Sequence, residues 1–350
     1  MNGSRAHFLH GWDGTGGESQ TGTDGCSFEI KVHRFALFKR VDLAYDSSVA
    51  SVTNSDISTS PVSPDTARVR VPGSTSNIGP GYDCLGIALA IYNEVTVSRG
   101  GDDLEMFGAP EHPMVAQCAE AFFEKTGKRP FAFRWAIQGD VPISRGLGSS
   151  VTLRLGILQA LNELAGKPLD GLGLFRLCTE IEGHPDNAGP AVFGGFVITN
   201  AHGDFFRFEV DPALKFVLLV PDLEVLTANA RKVLPDSIMH KEAVKNMSNA
   251  CSITAAFATR EYHKLRDTFD DYLHQTYRQH LVPGLFNVIL AGTEAGALGG
   301  FLSGSGSTIA CLTASDNAQK IAAAMRDAYT AGHATETHII SADNLGAATL

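Results

Sequence analysis

The sequence predicts an α+β protein, and three observations lead to this fold class. Segments that alternate between apolar and polar residues, typical of strands, recur along most of the chain. Amphipathic segments typical of helices stand between them, and several strands are joined by short glycine-rich turns typical of hairpins. Hairpin-linked strands mixed with helices favour α+β over a doubly wound parallel sheet. The chain of 350 residues is long enough for two domains.

Composition and charge restrict the class of partner. Hydrophobic residues make up 44% of the chain and charged residues 19%, which is typical of a globular protein. The net charge of −10 argues against binding to nucleic acid or to an anionic membrane, so we expect a small-molecule substrate. The cysteines form no C-x-x-C pair, and the sequence has neither an apolar run of membrane-spanning length nor a signal pattern. We therefore expect a cytoplasmic protein with reduced thiols and no membrane association.

Residues 1–65 differ in character from the rest of the chain. They are rich in Gly, Ser, Thr and Asp around one short apolar patch, and they end in SVTNSDISTSPVSPD, which is typical of a flexible linker. The composition predicts a mostly disordered extension, and an overcalled start codon explains it equally well. The remainder divides into two predicted domains, 66–212 and 213–350.

Regular elements are predicted from residue 67 onward. ARVRV alternates as a strand, a loop rich in Gly, Pro and Asn follows, and a second apolar segment leads to another strand. FAFRWAIQGDVPI, from Phe131, largely alternates and runs into a glycine-rich loop. Two helices come next, one ending near Gly166 and one stopped by Gly183, and then a hairpin that turns at Gly203.

A second unit is predicted from about Pro212. It begins with a buried strand at 216–220, and helices follow between about 228 and 295. Paired strands in GGFLSGSGSTIACL, a helix near 317–329 and a last strand near 336–340 complete it.

The stretch PISRGLGSSVT (142–152) joins a predicted strand to a predicted helix. Gly146 and Gly148 can take backbone angles closed to other residues, and the hydroxyls of Ser149 and Ser150 stand at the helix start. Such a turn can direct several N–H groups at one anion, helped by the partial positive charge of the helix N-terminus. It lacks the Lys of G-x-x-x-x-G-K-[ST] and the third Gly of G-x-G-x-x-G. A phosphate cradle and an ordinary strand-to-helix turn both remain open.

Glu182 is the most informative carboxylate in the sequence. It lies in the last turn of a predicted helix, where the helix dipole disfavours negative charge by a few tenths to about 1 kcal/mol. Close to Ser149 or Ser150 it would form an oxygen-rich site suited to Mg²⁺. A solvated glutamate at a frayed helix end is the alternative.

Further polar residues stand in turns and in predicted helices. His184, Asp186 and Asn187 precede an apolar strand, and taken alone they favour a helix-to-strand turn. Asn77 and Asp83 lie in another Gly-rich loop, where a carboxylate is either part of the turn or a receptor for a substrate ammonium group.

Two arginines and a second glycine-rich turn complete the candidates. Arg231 and Arg278 lie in separate helical regions, and if they converged they would bind a carboxylate bidentately. SGSGST (303–308) is either a tight hairpin or a second wall of a phosphate site.

Taken together, the motifs resemble those of the GHMP kinase superfamily, named after galactokinase, homoserine kinase, mevalonate kinase and phosphomevalonate kinase. From about Ala67 onward, VPGSTSNIGPGYDCLGIAL, PISRGLGSS and LSGSGSTIACL are similar to its three motifs in the same order. EGHPDNAGPAVFGG (182–195), TANARKVLP and YRQHLVPG resemble the homoserine kinase family in particular. The resemblance implies an N-terminal α/β domain like ribosomal protein S5 domain 2, a C-terminal ferredoxin-like domain, and an active site between them.

The resemblance also implies an activity and its residues. The activity is phosphorylation of the L-homoserine hydroxyl by ATP and Mg²⁺ in threonine biosynthesis. Asn187 would hydrogen-bond that hydroxyl, and Ser150 and Glu182 would bind Mg²⁺. Asp83 would bind the ammonium group of the substrate, and Arg231 with Arg278 would bind its carboxylate. The other residues of the substrate pocket would be Asn77, His184, Asp186 and Thr227. The residues implied to bind ATP are Pro142, Ile143, Ser144, Arg145, Gly146, Leu147, Gly148, Ser149, Ser150, Val151 and Thr152.

Asn187 bears on the mechanism because an amide cannot accept a proton. We therefore hypothesise a transfer without a general base, which depends on alignment and charge neutralisation, with His184 as the rival base. A kinase for another small alcohol, such as a mevalonate-type substrate, and a non-catalytic binding protein are the alternative functions. Monomer and homodimer are both open.

Three positions depart from the superfamily pattern. Ser307 replaces a Pro and is expected to loosen its turn, Val151-Thr152 replaces an Ala-Ala pair, and Arg154 places a charge early in a helix that is mostly apolar in relatives. None of them removes a proposed ligand.

Overall fold

The computed structural model describes residues 65–100 and 112–350, so residues 1–64 of the predicted extension lie outside the described part of the chain. The strands described are β1 (Thr66–Ser76), β2 (Leu85–Arg99), β3 (Phe133–Gly139), β4 (Phe196–Thr199), β5 (Phe205–Phe208), β6 (Lys215–Pro221), β7 (Gly299–Leu302), β8 (Ile309–Thr313), β9 (Thr335–Ser341) and β10 (Ala348–Thr349). The helices described are α1 (Pro113–Thr126), α2 (Ser149–Leu164), α3 (Gly171–Glu182), α4 (Ala188–Phe193), α5 (Thr227–Lys232), α6 (His240–Thr259), α7 (Gln275–Arg278), α8 (Leu285–Glu294) and α9 (Ala318–Ala328), with a 3₁₀ turn at Tyr262–Leu265.

The strands form two antiparallel sheets. The first has the order β10–β1–β2–β4–β5, and β3 pairs with residues 93–99 of β2. The second has the order β7–β8–β6–β9. Antiparallel sheets combined with helices confirm the predicted α+β class.

The β1–β2 hairpin contributes to two hydrophobic cores. At its far end, Val69 and Val95 are fully buried against α1, α2 and α3. Near the loop between the strands, Ile87 packs with Phe216 and Leu218 of β6 and with α6. This second core joins the two sheets, and it fixes the loop at 77–84 between them.

Strand β6 is buried on both faces. Phe216 and Leu218 face the core shared with β2, whereas Val217 and Leu219 face the helices α8 and α9. Successive side chains of a strand point to opposite faces, so covering both faces requires an unbroken apolar run. This explains the buried strand predicted at 216–220.

Most predicted elements are confirmed, but the helix α1 and two short elements were missed. Gly183, at a φ of 88°, ends α3 as predicted, and the hairpin around Gly203 is β4–β5. The helix α1 has 14 residues and was not predicted, whereas α4 and β10 are too short to carry a periodic pattern. The predicted boundary near residue 212 falls between β5 and β6. The last strand, β10, lies beyond this boundary but pairs with β1 and so belongs to the first sheet. Among the residues described here, no helix has the length and apolar character needed to cross a membrane.

Gly86 of β2 tests the packing that positions the turn before α4. A Cβ at Gly86 would lie 1.9 Å from the carbonyl oxygen of Asp186 and 2.6 Å from Cγ of Pro190. We expect Gly86→Ala to lower the free energy of unfolding by about 1–3 kcal/mol, because a backbone atom must move. In the control, Gly171→Ala, the new Cβ would meet only Phe193 at 3.8 Å, and stability should stay within about 0.5 kcal/mol. Urea unfolding compares the two, and equal midpoints would contradict the packing.

Candidate active site

The glycine-rich loop between β3 and α2 is confined by close contacts on two sides. Gly146 and Gly148 have φ values of 75° and 72°, in the left-handed region that favours glycine. A Cβ on Gly146 would lie 2.1 Å from the carbonyl oxygen of Ser303, and one on Gly148 would lie 2.4 Å from Oγ of Ser74. Backbone conformation and space therefore both require glycine at these two positions.

One cavity collects most of the predicted site residues. Its wall combines the β1–β2 loop, the glycine-rich loop, the α3–α4 turn, the α5 region, α7 and the β7–β8 turn. The predicted residues that line it are Asn77, Asp83, Ser144, Gly146, Gly148, Ser149, Ser150, Glu182, His184, Asp186, Asn187, Thr227, Arg231 and Arg278.

The remaining loop residues direct their side chains elsewhere. Leu147 and Val151 are buried in hydrophobic cores, and Thr152 Oγ1 is 2.8 Å from both Asn93 Nδ2 and the carbonyl oxygen of Ser149. A separate surface pocket near the ends of β6 and β9 is lined in part by Pro142, Ile143 and Arg145. For a ligand in the main cavity, these residues can contribute main-chain groups rather than side chains.

Asp83 and Arg231 form a bidentate ion pair in the cavity wall. Arg231 Nη2 is 2.8 Å from Asp83 Oδ1, and Nη1 is 2.9 Å from Oδ2. The hydrogen bond from Arg231 to Asp83 raises the pKa of the guanidinium. The same Nη1 donates to the Tyr82 hydroxyl at 2.7 Å. Sequence reasoning missed Tyr82, although it stands beside Asp83 in the first motif.

Arg278 is buried and is held from several directions. Its Nε donates to the Ala230 carbonyl oxygen and its Nη1 to the Gly304 carbonyl oxygen, both at 3.0 Å. His274, also buried, places Nδ1 at 3.3 Å from the same Nη1. Nε2 of His274 lies 2.8 Å from the Gly79 carbonyl oxygen. Because Nε2 must donate to that carbonyl, Nδ1 is free to accept from Arg278.

The Arg278–His274 contact requires a neutral imidazole. Burial lowers the pKa of His274 to about 4, although the Asp271 carboxylate at 3.6 Å acts in the opposite direction. His274 is therefore neutral at neutral pH and can orient Arg278. The sequence contained one available signal, since His274 stands one helical turn before Arg278.

Glu182 and Ser150 meet where two helices end and begin. Glu182 is the last residue of α3, and Ser150 lies in the first turn of α2. Ser150 Oγ donates to Glu182 Oε1 at 2.7 Å, and Arg154 Nη1 is 2.7 Å from Oε2. The positive end of α2 and the guanidinium offset the unfavourable dipole of α3 at this carboxylate.

The donor set at Ser150 and Glu182 fits Mg²⁺ that is shared with phosphate. Mg²⁺ takes about six oxygen ligands and is commonly held by one or two carboxylates together with substrate phosphates. Ser150 and Glu182 offer a hydroxyl and a carboxylate oxygen 2.7 Å apart. Within residues 65–100 and 112–350, no group of three or more His, Cys, Asp or Glu side chains could hold a metal ion by itself.

The α3–α4 turn places a His–Asp pair beside Glu182. His184 Nδ1 is 2.8 Å from Asp186 Oδ1, and Nε2 is 4.0 Å from Glu182 Oε1. Burial acts to lower the pKa of His184, but the hydrogen bond and charge of Asp186, together with Glu182, outweigh it and raise the pKa.

Asn187 is oriented by two serines of β1. Its Oδ1 accepts from Ser74 Oγ at 2.9 Å, and its Nδ2 donates to Ser76 Oγ at 3.0 Å. In this orientation the amide keeps one N–H for a ligand. Ser76 lines the cavity and was also missed by sequence reasoning. Asn77 donates to the Gly304 carbonyl oxygen and accepts from the Asp83 N–H, so it holds two loops together.

The β7–β8 turn combines both alternatives considered for SGSGST. It is a hairpin turn, and it also packs on the glycine-rich loop, since Ser303 Oγ donates to the Gly146 carbonyl oxygen at 2.6 Å. Gly304 and Ser305 line the cavity. The loosening expected at Ser307 stays a prediction, and its buried hydroxyl lies 2.6 Å from the Leu223 carbonyl oxygen and 3.1 Å from that of Pro221.

Comparison with known proteins extends these observations. The family models described as GHMP kinases N terminal domain and GHMP kinases C terminal match residues 113–195 and 256–331. A homoserine kinase of Carboxydothermus hydrogenoformans is 37% identical over 256 residues, covering 70% of this chain and 84% of the relative. A homoserine kinase of Microchaete diplosiphon is 36% identical over 296 residues, which cover 81% of this chain and 96% of that relative.

Solved structures agree with the sequence relatives. The crystal structure of homoserine kinase from Cytophaga hutchinsonii gives a TM-score of 0.74 at 25% identity, covering 86% of this chain and 100% of that one. A mevalonate kinase structure, at 14% identity and a TM-score of 0.61 over 79% of this chain and 99% of that one, shows the same fold. The fold and its two matched domains define a GHMP kinase. Within that superfamily the chain belongs to the homoserine kinase family.

The neutral state of His274 predicts a pH dependence of stability. An unfolded His binds a proton near pH 6.5, whereas folded His274 does so near pH 4, so the unfolded state binds more protons between these values. Lowering the pH through this range therefore destabilises the folded protein. His274→Gln keeps a donor and an acceptor but cannot titrate. Relative to this variant, we expect the wild type to lose about 2 kcal/mol of unfolding free energy between pH 6.5 and 4.5.

Urea unfolding at these two pH values measures the difference. His333→Gln is the matched control, because His333 is exposed and should leave the pH dependence of the wild type unchanged. Parallel pH curves for wild type and His274→Gln would show that His274 titrates normally in the folded state.

Proposed function

We propose that this chain transfers the γ-phosphoryl group of ATP to the side-chain hydroxyl of L-homoserine, giving O-phospho-L-homoserine for threonine biosynthesis. One observation carries the proposal. A single cavity is lined both by the glycine- and serine-rich loop, which could bind an anion, and by Asp83 with two arginines. A phosphorylated nucleotide and a zwitterionic amino acid are complementary to these two sets of residues.

Asp83 and the two arginines offer both charges that a zwitterion requires. Asp83 would hold the ammonium group, and Arg231 with Arg278 would hold the carboxylate. Tyr82 supports this arrangement, because its hydroxyl lies 2.7 Å from Arg231 Nη1 and 3.5 Å from Arg278 Nη2. Asn77, Thr227, His184 and Asp186 would complete the pocket. A bound zwitterion would share or replace the existing contact between Asp83 and Arg231.

The proposed phosphate site uses backbone groups and the start of α2. The loop at 142–152 would surround the ATP phosphates, with N–H groups at the N-terminus of α2 stabilising the anion. Ser150 and Glu182 would hold Mg²⁺, which supplies charge neutralisation of the phosphates when bound. Because the nucleotide is its second substrate, we propose a cytoplasmic enzyme. We also retain the division into domains 66–212 and 213–350 as a proposal, supported by the two separate sheets.

Asn187 would align the substrate hydroxyl for in-line transfer. Its carboxamide is held by Ser74 and Ser76, and its remaining N–H can contact the hydroxyl, but it cannot take the proton. Phosphoryl transfer passes through a loose transition state that requires alignment more than deprotonation, so the proton can leave late to a phosphoryl oxygen. The rival base is His184, oriented by Asp186.

Other functions explain fewer of these residues. A GHMP kinase for a mevalonate-type alcohol needs no ammonium receptor, so Asp83 would have no ligand role. A non-catalytic binding protein would not need Asn187, Ser150 and Glu182 together. A coupled ADP-release assay with homoserine, threonine, serine and mevalonate tests the assignment, and preference for a substrate other than homoserine would reject it.

The ammonium receptor predicts the effect of Asp83→Asn. We expect KM for homoserine to rise about tenfold to a hundredfold with a smaller change in kcat, because the lost charge serves substrate binding. The control is Glu209→Gln, which removes the exposed partner of Arg260 and should leave both constants unchanged. Steady-state kinetics with saturating ATP measures both variants. An unchanged KM for Asp83→Asn would show that Asp83 does not bind the substrate.

The base-free route predicts different behaviour for Asn187→Ala and His184→Gln. Loss of alignment should lower kcat of Asn187→Ala by about 100-fold. His184→Gln should keep the shape of the pH profile of kcat, since no proton is taken by the imidazole. Thermal unfolding confirms that each variant is folded. A pH limb that disappears in His184→Gln would establish His184 as the base.

A further inference from the structure

The two oxygens of Glu182 have different partners. Oε1 accepts from Ser150 Oγ at 2.7 Å, whereas Oε2 lies 2.7 Å from Arg154 Nη1. Ser150 and Arg154 are four residues apart on α2, so both side chains stand on the same face of that helix. The side chains of Arg154 and Glu182 are only 13% and 11% exposed. The pair is therefore largely withdrawn from solvent. Interactions between buried charges are only weakly screened.

We propose that Arg154 is a positioning residue that neutralises Glu182 and occupies its second oxygen, so that the Ser150–Glu182 pair binds a divalent cation only together with a nucleotide. The inference rests on the proposed function in one respect, the assignment of Ser150 and Glu182 to the cation.

The charge balance around Glu182 supports this role. Glu182 alone would present a buried negative charge, which attracts a cation even before nucleotide is bound. With Arg154 in contact, the pair is neutral, and a cation at Oε1 also experiences repulsion from a guanidinium a few ångströms away. Nucleotide phosphates bring additional negative charge and restore the attraction. The cation then enters as a complex with the nucleotide.

The guanidinium of Arg154 also contacts the helix α1. Its Nη2 is 3.5 Å from Gln117 Oε1. Arg154 itself does not line the cavity described above, whereas Glu182 and Ser150 do. This placement favours action through Glu182 over direct contact with a ligand.

The test measures cation binding without catalysis. Mn²⁺ serves as a paramagnetic probe and is titrated into nucleotide-free protein while free Mn²⁺ is followed by electron paramagnetic resonance. Arg154→Gln removes the charge but keeps a donor toward Glu182, and Arg154→Lys keeps the charge. We expect Arg154→Gln to bind Mn²⁺ about tenfold more tightly than wild type, and Arg154→Lys to match wild type. Adding Glu182→Gln to Arg154→Gln should abolish the gain.

Two outcomes would overturn the proposal. Equal Mn²⁺ affinity in wild type and Arg154→Gln would show that the guanidinium does not control the site. Loss of ATP binding in both Arg154→Gln and Arg154→Met, with each variant folded by circular dichroism, would show that Arg154 binds the nucleotide directly. If Arg154→Gln unfolds, Arg154→Met supplies the same comparison with the stem retained.

The titration also separates this inference from the proposed function. It contains no amino-acid substrate, so a protein that fails to phosphorylate homoserine can still show the tenfold shift in Mn²⁺ affinity. If the protein phosphorylates homoserine but Arg154→Gln does not change the Mn²⁺ affinity, the proposed function stands and the role of Arg154 is rejected.

Discussion

The hydrogen bond from Ser303 Oγ to the carbonyl oxygen of Gly146 joins the two sheets at the cavity. It brings the β7–β8 turn so close to the glycine-rich loop that no side chain fits at position 146. The positive φ of Gly146 also favours glycine there. The contact is reinforced by Thr308 N–H donating to the Arg145 carbonyl oxygen and by Gly304 N–H donating to that of Ser76. Together with the core shared by β2 and β6, this junction holds residues from the two sheets face to face at the cavity.

Most charged side chains around the cavity are paired with one another, whereas Arg278 is held by carbonyl oxygens. Asp83 pairs with Arg231, Glu182 with Arg154, and His184 with Asp186. Burying an isolated charge is strongly unfavourable, so a cavity that must receive charged ligands is stable when its own charges compensate each other. Ligands of matching charge can then exchange partners with these pairs. Such pairing is compatible with the proposed binding of a zwitterion and a phosphate.

A transfer without a general base is consistent with how tightly Asn187 is held. Two serine hydroxyls on β1 fix its carboxamide, and β1 is itself anchored in the first sheet. Alignment of this kind depends on a rigid strand beneath the reacting group. The same strand continues into the β1–β2 loop that carries Tyr82 and Asp83, so the serines that hold Asn187 and the proposed ammonium receptor lie on one continuous segment.

Local signals allowed much of the fold and the site to be predicted. Gly146 and Gly148 were identified because a tight turn before a helix needs positive φ, and Gly183 because a helix stops at such a residue. The unbroken apolar run of β6 indicated a strand covered on both faces. The motif resemblance identified the cavity residues by their order in the chain. Each of these signals lies within a few neighbouring residues.

Only the tertiary structure decided which side chains meet. The contacts of Tyr82 with Arg231 and of Arg154 with Glu182 join segments far apart in the chain. No periodicity or turn signal encodes such pairings, because they result from how the two cores stack the sheets and helices. The sequence by itself determined the backbone turns and the chemical groups available. Packing determined the partner of each charge, because the distance between two side chains depends on every element that lies between them.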